Sequence, residues 1–251
     1  MIRFYAPDIA DTHTLPESDS GHAVRVLRMH AGDELQVVDG RGHVYTCRLA
    51  DENHHRAAVH IVEVRDEPPV WPYNITVMVA PTKNMDRMEW LVEKLVEIGI
   101  NDFVPVRCQR SERKELKTER LVKIAVSAMK QSLKATLPRI HPMMPLKEAI
   151  SADFISTLKS TQTSVVQKFI GYCSDEVERK LLARECRPLT DTVVLIGPEG
   201  DFTPDEVTAC LAAGFLPVTM GDNRLRTETA ALVAATTPHI LNQLAANDKY
   251  D

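Results

Sequence analysis

What this chain of 251 residues lacks closes off several functional classes. It has no apolar run long enough to span a bilayer. Its opening residues, Met1-Ile-Arg-Phe-Tyr-Ala-Pro7, lack the basic-then-apolar layout of a secretory leader, so a cytoplasmic location with no membrane partner is expected. The five cysteines, Cys47, Cys108, Cys173, Cys186 and Cys210, are scattered and odd in number, with no Cys-x-x-Cys pair. They read as reduced, mostly buried small hydrophobes rather than a disulfide framework or a zinc site. The histidines of the first 60 residues (His13, His22, His30, His43, His54, His55 and His60) have no metal-ligand spacing to Cys or acids, so no metal is expected. An ordinary nucleotide-dependent enzyme is also disfavoured. There is no Gly-x-x-x-x-Gly-Lys loop, and Gly40-x-Gly42 lies in a hairpin before any βαβ unit.

Lysine is absent from residues 1–70, which carry seven Arg against twelve Asp or Glu. Residues 107–140 reverse that balance with ten Lys or Arg against three Glu. The net charge of −5 argues against nonspecific coating of nucleic acid, but this polarisation leaves room for a local track.

The hydrophobic pattern divides the chain in two. Residues 1 to 66 read as a small β-rich domain, with strands at Arg3-Phe-Tyr5, Glu34–Asp39, His43–Leu49 and Ala57–Val64, a turn at Asp39-Gly-Arg-Gly42 and a short helix at about 20–29. The proline-rich stretch Asp66-Glu-Pro-Pro-Val-Trp-Pro72 marks the boundary, giving domains 1–70 and 71–251. From Asn74 onward strands alternate with helices, the sign of a mainly parallel sheet in an α/β fold. A helix from Asp86, its expected cap, runs through Ile98 to a stop at Gly99, and Phe103-Val-Pro-Val106 is the next strand. A helix at about Glu119–Ala135 buries Leu121, Ile124, Ala125, Ala128 and Met129. It sets Arg120, Lys123, Ser127, Lys130 and Lys134 along one face. Strands follow at Lys168–Tyr172, Thr192–Ile196 and Phe215–Met220, and a last helix at 228–245 contains Pro238.

Two stretches stand out, Ile196-Gly-Pro-Glu-Gly-Asp-Phe-Thr-Pro-Asp-Glu206 and Met220-Gly-Asp-Asn-Arg-Leu-Arg-Thr-Glu-Thr-Ala230. Each follows a short apolar strand and runs into helix-start chemistry. Thr203, Pro204 and Glu206 form a capping box with Pro at the first helical position, and Thr227 is the expected cap of the last helix. Loops of this kind present unpaired backbone N–H groups at a strand end, where open α/β folds bind ligands. Either loop alone is also ordinary turn chemistry.

The pair, in this order and ending in Leu-Arg-Thr-Glu-Thr-Ala, resembles the cofactor loops of the SPOUT methyltransferases, specifically the bacterial small-subunit ribosomal RNA uridine-N3 methyltransferase family. The resemblance extends to His22-Ala-Val-Arg-Val-Leu-Arg28, Lys83-Asn-Met-Asp-Arg-Met-Glu-Trp90 with Glu97-Ile-Gly99, Arg110, and Gln131 ahead of Pro138-Arg-Ile140. It implies an N-terminal PUA-like β-barrel, a SPOUT domain with a deep trefoil knot, a homodimer, S-adenosylmethionine as cofactor, and small-subunit rRNA or the assembled small subunit as partner. In the family's manner, Gly197, Pro198, Glu199, Gly200, Met220, Gly221, Leu225 and Thr227 line the cofactor pocket. Arg226 is the catalytic candidate, because a guanidinium beside the uridine ring favours the deprotonated, nucleophilic N3 state. Glu228 is a weaker candidate for proton acceptor, since an acid in a helix's first turn is commonly good capping. Candidate RNA contacts are Arg3, Arg25, Arg28, Lys83, Arg110, Lys123, Lys130 and Gln131. The chain departs from the family pattern at Asn223, Lys130 and Lys134, where Arg, Glu and Arg are usual. A SPOUT enzyme acting on transfer RNA, or a ribosome-assembly binding protein without catalysis, are the alternatives.

Overall fold

The computed structural model describes residues 2–161, 165–173 and 177–246. By its contacts the chain divides into two compact units. One is Met1–Val70 with Ala125–Leu137, the other Trp71–Ile124 with Pro138–Asp251. The division at Val70 falls in the proline-rich stretch. The recruitment of 125–137 to the first unit was invisible to periodicity, because that segment reads simply as the end of a helix.

In the first unit, β1 (Arg3–Tyr5) is followed by two short helices, α1 (Ile9–Thr12) and α2 (Glu17–Gly21), and by a π-helical turn at His22–Val26. Then come β2 (Glu34–Val38), β3 (His43–Leu49) and β4 (Val59–Asp66), in a sheet of order β1-β2-β3-β4. The single helix expected at 20–29 is therefore α2 plus a wider turn, which ends before Arg28, a left-handed residue with φ 55°. β1 pairs parallel to β2 and the other strands pair antiparallel. Inward residues Phe4, Leu35, Val37, Cys47, Leu49 and Val59 meet Ile9 and Leu15 in one core.

The β2–β3 turn explains how the later segment joins. Asp39 accepts from the Arg41 and His43 amides at 2.8 and 3.2 Å and from the His43 ring at 2.7 Å. Burial alone pushes the Asp39 carboxyl up, but these hydrogen bonds outweigh it and hold the group below its usual range. Gly40 sits at φ 78°, and a Cβ there would lie 3.1 Å from Tyr5 Cε2 and 3.2 Å from Leu137 Cβ. Its carbonyl accepts from Leu137 N, and Gly42 N donates to Ala135 O. The turn thus packs against residues 135–137 as tightly as glycine permits.

Arg3 is a correction to the expected RNA contacts. It is 7% exposed, forms a two-pronged pair with Glu67 at 2.6 and 2.7 Å, and donates to the Leu133 carbonyl. Its donors are consumed within the unit. The Arg3 guanidinium in turn holds Glu67 below the usual carboxylate range.

In the second unit β5 (Ile75–Val79), α3 (Met85–Ile98) and β6 (Asp102–Arg107) precede α4 (Glu119–Gln131). Asn84, not Asp86, caps α3: its side chain accepts from Asp86 N, which leaves Asp86 in the first turn facing the positive end of the helix dipole. Gly99, at φ 105°, ends that helix. α4 stops four residues short of the expected Ala135, and Leu133 takes a left-handed φ of 54° just beyond it.

Next come β7 (Arg139–Ile140), β8 (Met144–Pro145), α5 (Leu146–Ala149), α6 (Ala152–Thr157), β9 (Val166–Gly171), β10 (Lys180–Leu181) and α7 (Leu182–Glu185). The chain closes with β11 (Asp191–Ile196), α8 (Pro204–Ala212), β12 (Leu216–Thr219) and α9 (Thr227–Ala245). The strands run in the order β10-β12-β9-β11-β5-β6-β7, with β8 also on β6, and every pair is parallel. Parallel strands carry all their C-terminal ends to one edge. Gly171 is in register with Ile196 and with Val218, so the segments leaving β9, β11 and β12 emerge side by side. Every residue of β5 and β11 is buried, which explains why both are mostly apolar without an alternating polar face.

Candidate functional site

A cleft of about 1000 Å³ opens at that edge, lined by the ends of β9, β11 and β12 and by the start of α9. Its volume is at the upper end of the range for small-molecule and cofactor sites. Gly197, Pro198, Glu199, Met220, Gly221, Leu225 and Thr227 line it, as does Arg226. The two loops singled out in the sequence therefore share one pocket.

Gly200, expected among them, is absent from the lining; it packs against Arg110 instead, with 3.3 Å between a would-be Cβ and Arg110 Cβ. The lining residues that the motifs did not single out include Gly171, Tyr172 and Cys173 from β9 and the residues after it, and Arg87 from α3. Arg87 lay in plain view in Lys83–Trp90, but its direction depends on how α3 is rotated.

The first loop is rigidly built. The capping box forms as read, with Glu206 N donating to the Thr203 hydroxyl and Thr203 N donating to the Glu206 carboxylate at 2.9 Å. Asp201 takes a left-handed φ of 60°, with its carboxylate accepting from Phe202 N and from Cys173 N. A Cβ on Gly197 would fall 2.8 Å from the buried Phe202 ring, so glycine here is a matter of space rather than of backbone freedom. At Gly221 the reverse holds: nothing lies within 4 Å, but φ is 129°.

Thr227 does not cap α9. The cap position is Arg226, whose side chain makes no capping bond, and Thr227 is the first helical residue. Its hydroxyl instead donates to the Gly197 carbonyl at 3.3 Å, tying the second loop to the first. No side chain caps the first-turn N–H groups of α9, and Thr227, Glu228 and Ala230 of that turn line the cleft. Glu228 is buried there at 7% exposure, its Oε1 lies 3.7 Å from Arg87 Nε, and its Oε2 has no partner among the described residues. An uncapped helix start for an anion and an orphaned carboxylate oxygen for a donor suit a zwitterionic ligand, and the close approaches at Gly197 and Gly171 shape its walls. This donor set fits S-adenosylmethionine, which carries an ammonium, a carboxylate and ribose hydroxyls.

Arg226 is exposed and forms no ion pair with Glu228; Arg87 takes that place. Among the other expected RNA contacts, Arg25, Arg28, Lys83, Lys123 and Gln131 are exposed. Lys130 is not free: its Nζ lies 2.6 Å from the buried Asp19 carboxylate. Arg120, on the same stripe, pairs with Glu89 at 2.6 Å. Arg110 donates to the carbonyls of Gly200 and Phe202. The basic face is thus partly neutralised by internal partners.

Burial raises four thiols, Cys47 and Cys186 to about 11 and Cys210 to about 12, with Cys108 raised further still; Cys173 alone is exposed. Among the described residues there is no cluster of His, Cys, Asp and Glu able to hold a metal, and no helix long and apolar enough to cross a membrane.

Comparison with known proteins agrees with this geometry. The RNA methyltransferase domain model matches residues 69–238, and the RNA methyltransferase PUA domain model matches residues 15–62. Ribosomal RNA small subunit methyltransferase E of Aquifex aeolicus is 30% identical over 212 residues, covering 83% of this chain and 86% of the relative. The protein of that name from Bacillus subtilis is 25% identical over 248 residues, covering 96% and 94%. A crystal structure of a probable rRNA-methyltransferase from Porphyromonas gingivalis superposes with a TM-score of 0.89 at 41% identity, covering 98% of this chain and all of that one. The Neisseria gonorrhoeae methyltransferase E, solved with S-adenosyl methionine bound, gives a TM-score of 0.79 at 31% identity, covering 96% and 98%. The N-terminal unit is PUA-like and the larger unit is a SPOUT α/β domain. Since the domain match spans most of the chain and the relatives align over nearly its whole length, this chain belongs to the RNA methyltransferase family, in the branch of small-subunit ribosomal RNA methyltransferase E.

Proposed function

We propose that this protein transfers the methyl group of S-adenosylmethionine to N3 of a uridine in small-subunit (16S) ribosomal RNA. The observation that carries the reading is the meeting of both loops in one cleft, with Arg226 lining it, exposed and without an ion pair among the described residues, and with the start of α9 in its wall. The names of the relatives and the cofactor in the gonococcal structure support the same reading. We place its action in the cytoplasm, on free RNA or the assembled subunit.

When bound, S-adenosylmethionine supplies an activated methyl group, so the protein's task is to hold the acceptor in line, assist loss of the N3 proton and exclude water. Gly197, Pro198, Glu199, Met220, Gly221, Leu225 and Thr227 bind through the walls and backbone of the cleft. Uridine N3 is a poor nucleophile until its proton leaves, and the charge then spreads toward the ring oxygens. The Arg226 guanidinium, which has no acidic partner among the described residues, stabilises that charge. Glu228 Oε2 is the acceptor for a ligand proton, and Arg87 keeps the carboxylate in place. Lys83, Lys123, Gln131, Arg25 and Arg28 remain open to RNA phosphates.

We also propose a homodimer. Val233, Ile240 and Leu244 form an exposed apolar stripe along α9, and Trp90 on the neighbouring α3 is 42% exposed. Sedimentation at micromolar concentration tests this, with a monomer counting against it.

The reaction is tested by transfer of labelled methyl to small subunits from cells lacking the modification, with free rRNA and transfer RNA in parallel, followed by nucleoside analysis. N3-methyluridine from subunits or rRNA is the expected product. Label only in transfer RNA would move the acceptor to that class. Cofactor binding without any label would leave a binding protein, the reading that Asn223 at the cleft rim favours.

A further inference from the structure

The basic segment that begins with the last residue of β6 holds Arg107, Arg110, Arg113, Lys114 and Lys117, and its charge invites an RNA role for all five. Their partners divide them. Arg110 Nη1 donates to the carbonyls of Gly200 and Phe202 at 3.2 and 3.3 Å, and the neighbouring Gln109 N donates to Glu206 Oε1 at 2.7 Å. Arg113 donates to the carbonyls of Thr82 and Lys83, immediately before the α3 cap. Arg113 turns Nε and Nη2, and the exposed Arg110 turns Nη1, onto backbone carbonyls of segments that lead into the cleft walls. Gly200 closes the fit, since even a methyl group there would stand 3.3 Å from Arg110 Cβ and 3.5 Å from its carbonyl.

The contacts continue inward. Phe202, whose carbonyl Arg110 holds, sets its ring against Gly197, and the Gly197 carbonyl accepts from Thr227 at the start of α9. Glu206 serves two structures with one carboxylate: Oε2 closes the capping box of α8 and Oε1 takes the Gln109 amide. The first loop is therefore braced from behind by residues 109–110, outside the cleft.

From this arrangement we propose that Arg110 is a positioning residue for the first cofactor loop and not an RNA contact. It fixes the Gly200 and Phe202 carbonyls, so that the Gly197 wall is preformed before cofactor enters. Both carbonyls are held by one nitrogen, Nη1, which stands one bond farther from Cα than a lysine ammonium and carries its two hydrogens in a fixed plane, so a lysine at this position does not reproduce the contact. The inference rests on the proposed function only in taking S-adenosylmethionine as the ligand of the cleft.

The test is calorimetric titration of S-adenosylhomocysteine, with no RNA present, into the full chain and into Arg110→Ala, Arg110→Lys and Gly200→Ala. The expected result is an affinity loss of about tenfold for Arg110→Ala, and a loss nearly as large for Arg110→Lys although its charge is kept. Gly200→Ala reaches the same contact from the other side and loses affinity similarly. The double variant Arg110→Ala with Gly200→Ala loses no more than either single one, because the two act on one contact. In turnover, KM for cofactor rises while kcat at saturation stays within about twofold. RNA affinity of Arg110→Lys stays at the wild-type value.

Unchanged S-adenosylhomocysteine affinity in Arg110→Ala, with RNA affinity lost, would overturn the inference and return Arg110 to the RNA face. So would a Lys variant that binds cofactor normally. If Arg110→Ala does not fold, the Lys and Gly200 variants decide. Failure of the wild-type chain to bind S-adenosylhomocysteine at all would instead strike the proposed function.

Discussion

The two loops of the cleft have the same origin, each leaving a parallel strand and entering a helix, yet they are built by opposite rules. The first, from Gly197 to Thr203, is fixed on every side by the capping box, the Asp201 carboxylate, the Phe202 ring and Arg110. The second, from Met220 to Arg226, has few internal bonds. Thr219 Oγ1 donates to the Gly221 carbonyl and Thr227 reaches Gly197, while Asp222, Asn223, Arg224 and Arg226 are exposed. The helix after the first loop is capped, and the helix after the second is not. A wall that must be the same before and after each turnover is prepaid in folding energy. The segment proposed to meet the RNA keeps its donors and its charge exposed.

The sharpest way to break this comparison is to remove the unspent charge. Arg226→Ala should lower kcat by about 10²–10³, the range for one preorganised stabiliser of developing charge, with S-adenosylhomocysteine affinity within about twofold. Parallel loss of both would move Arg226 into the binding walls.

Next is Gly197→Ala in the rigid loop. The added methyl must displace a buried ring, so a stability loss of about 2 kcal/mol is expected, read by denaturant unfolding. Gly221→Ala meets no atom and should instead cost about 1 kcal/mol of backbone strain. If both glycines lose equally, the contrast between space and conformation fails.

Glu206→Ala removes the carboxylate half of the capping box and the Gln109 bond together, leaves the Thr203 hydroxyl on the residue 206 amide, and should cost about 1–2 kcal/mol, again by unfolding.

The smallest effect expected is in thiol labelling. At pH 8 Cys173, exposed at the cleft, should react with an aromatic disulfide reagent, and S-adenosylhomocysteine should slow it. Cys210, held to about 12 by burial and by the Glu206 carboxylate, should stay protonated and unreactive until unfolding. Raising the pH to 9 should still leave Cys210 unlabelled; rapid native-state labelling of Cys210 would show that the packing beside α8 opens.

Legibility followed the range of the interactions. The capping box at Thr203 and Glu206 and the stop at Gly99 were readable because each is closed within a few residues. The helix starts at Asn84 and Arg226 were expected two and one positions later, at Asp86 and Thr227, since several adjacent polar residues compete for each helix start and the packing chooses among them. Arg3 and Arg110 carry charges that suggest phosphate contact, but their partners lie 64 and 90 residues away, at Glu67 and Gly200. No local pattern reports such a pairing. Likewise the pattern of α4 gives its apolar face but not that residues 125–137 pack with the first unit.

By itself the sequence determined the alternation of buried strands and capped helices, the turn glycines and the two loops at strand ends, because hydrophobic period, capping and backbone freedom are local properties. The resemblance of those loops named the chemistry. Only the tertiary structure decided that parallel pairing brings both loops to one cleft, that Glu228 keeps a free buried oxygen beside Arg87, and which arginines are spent. Those outcomes depend on desolvation and on partners distant in the chain, and a charge acquires its role only when the fold shows what stands next to it.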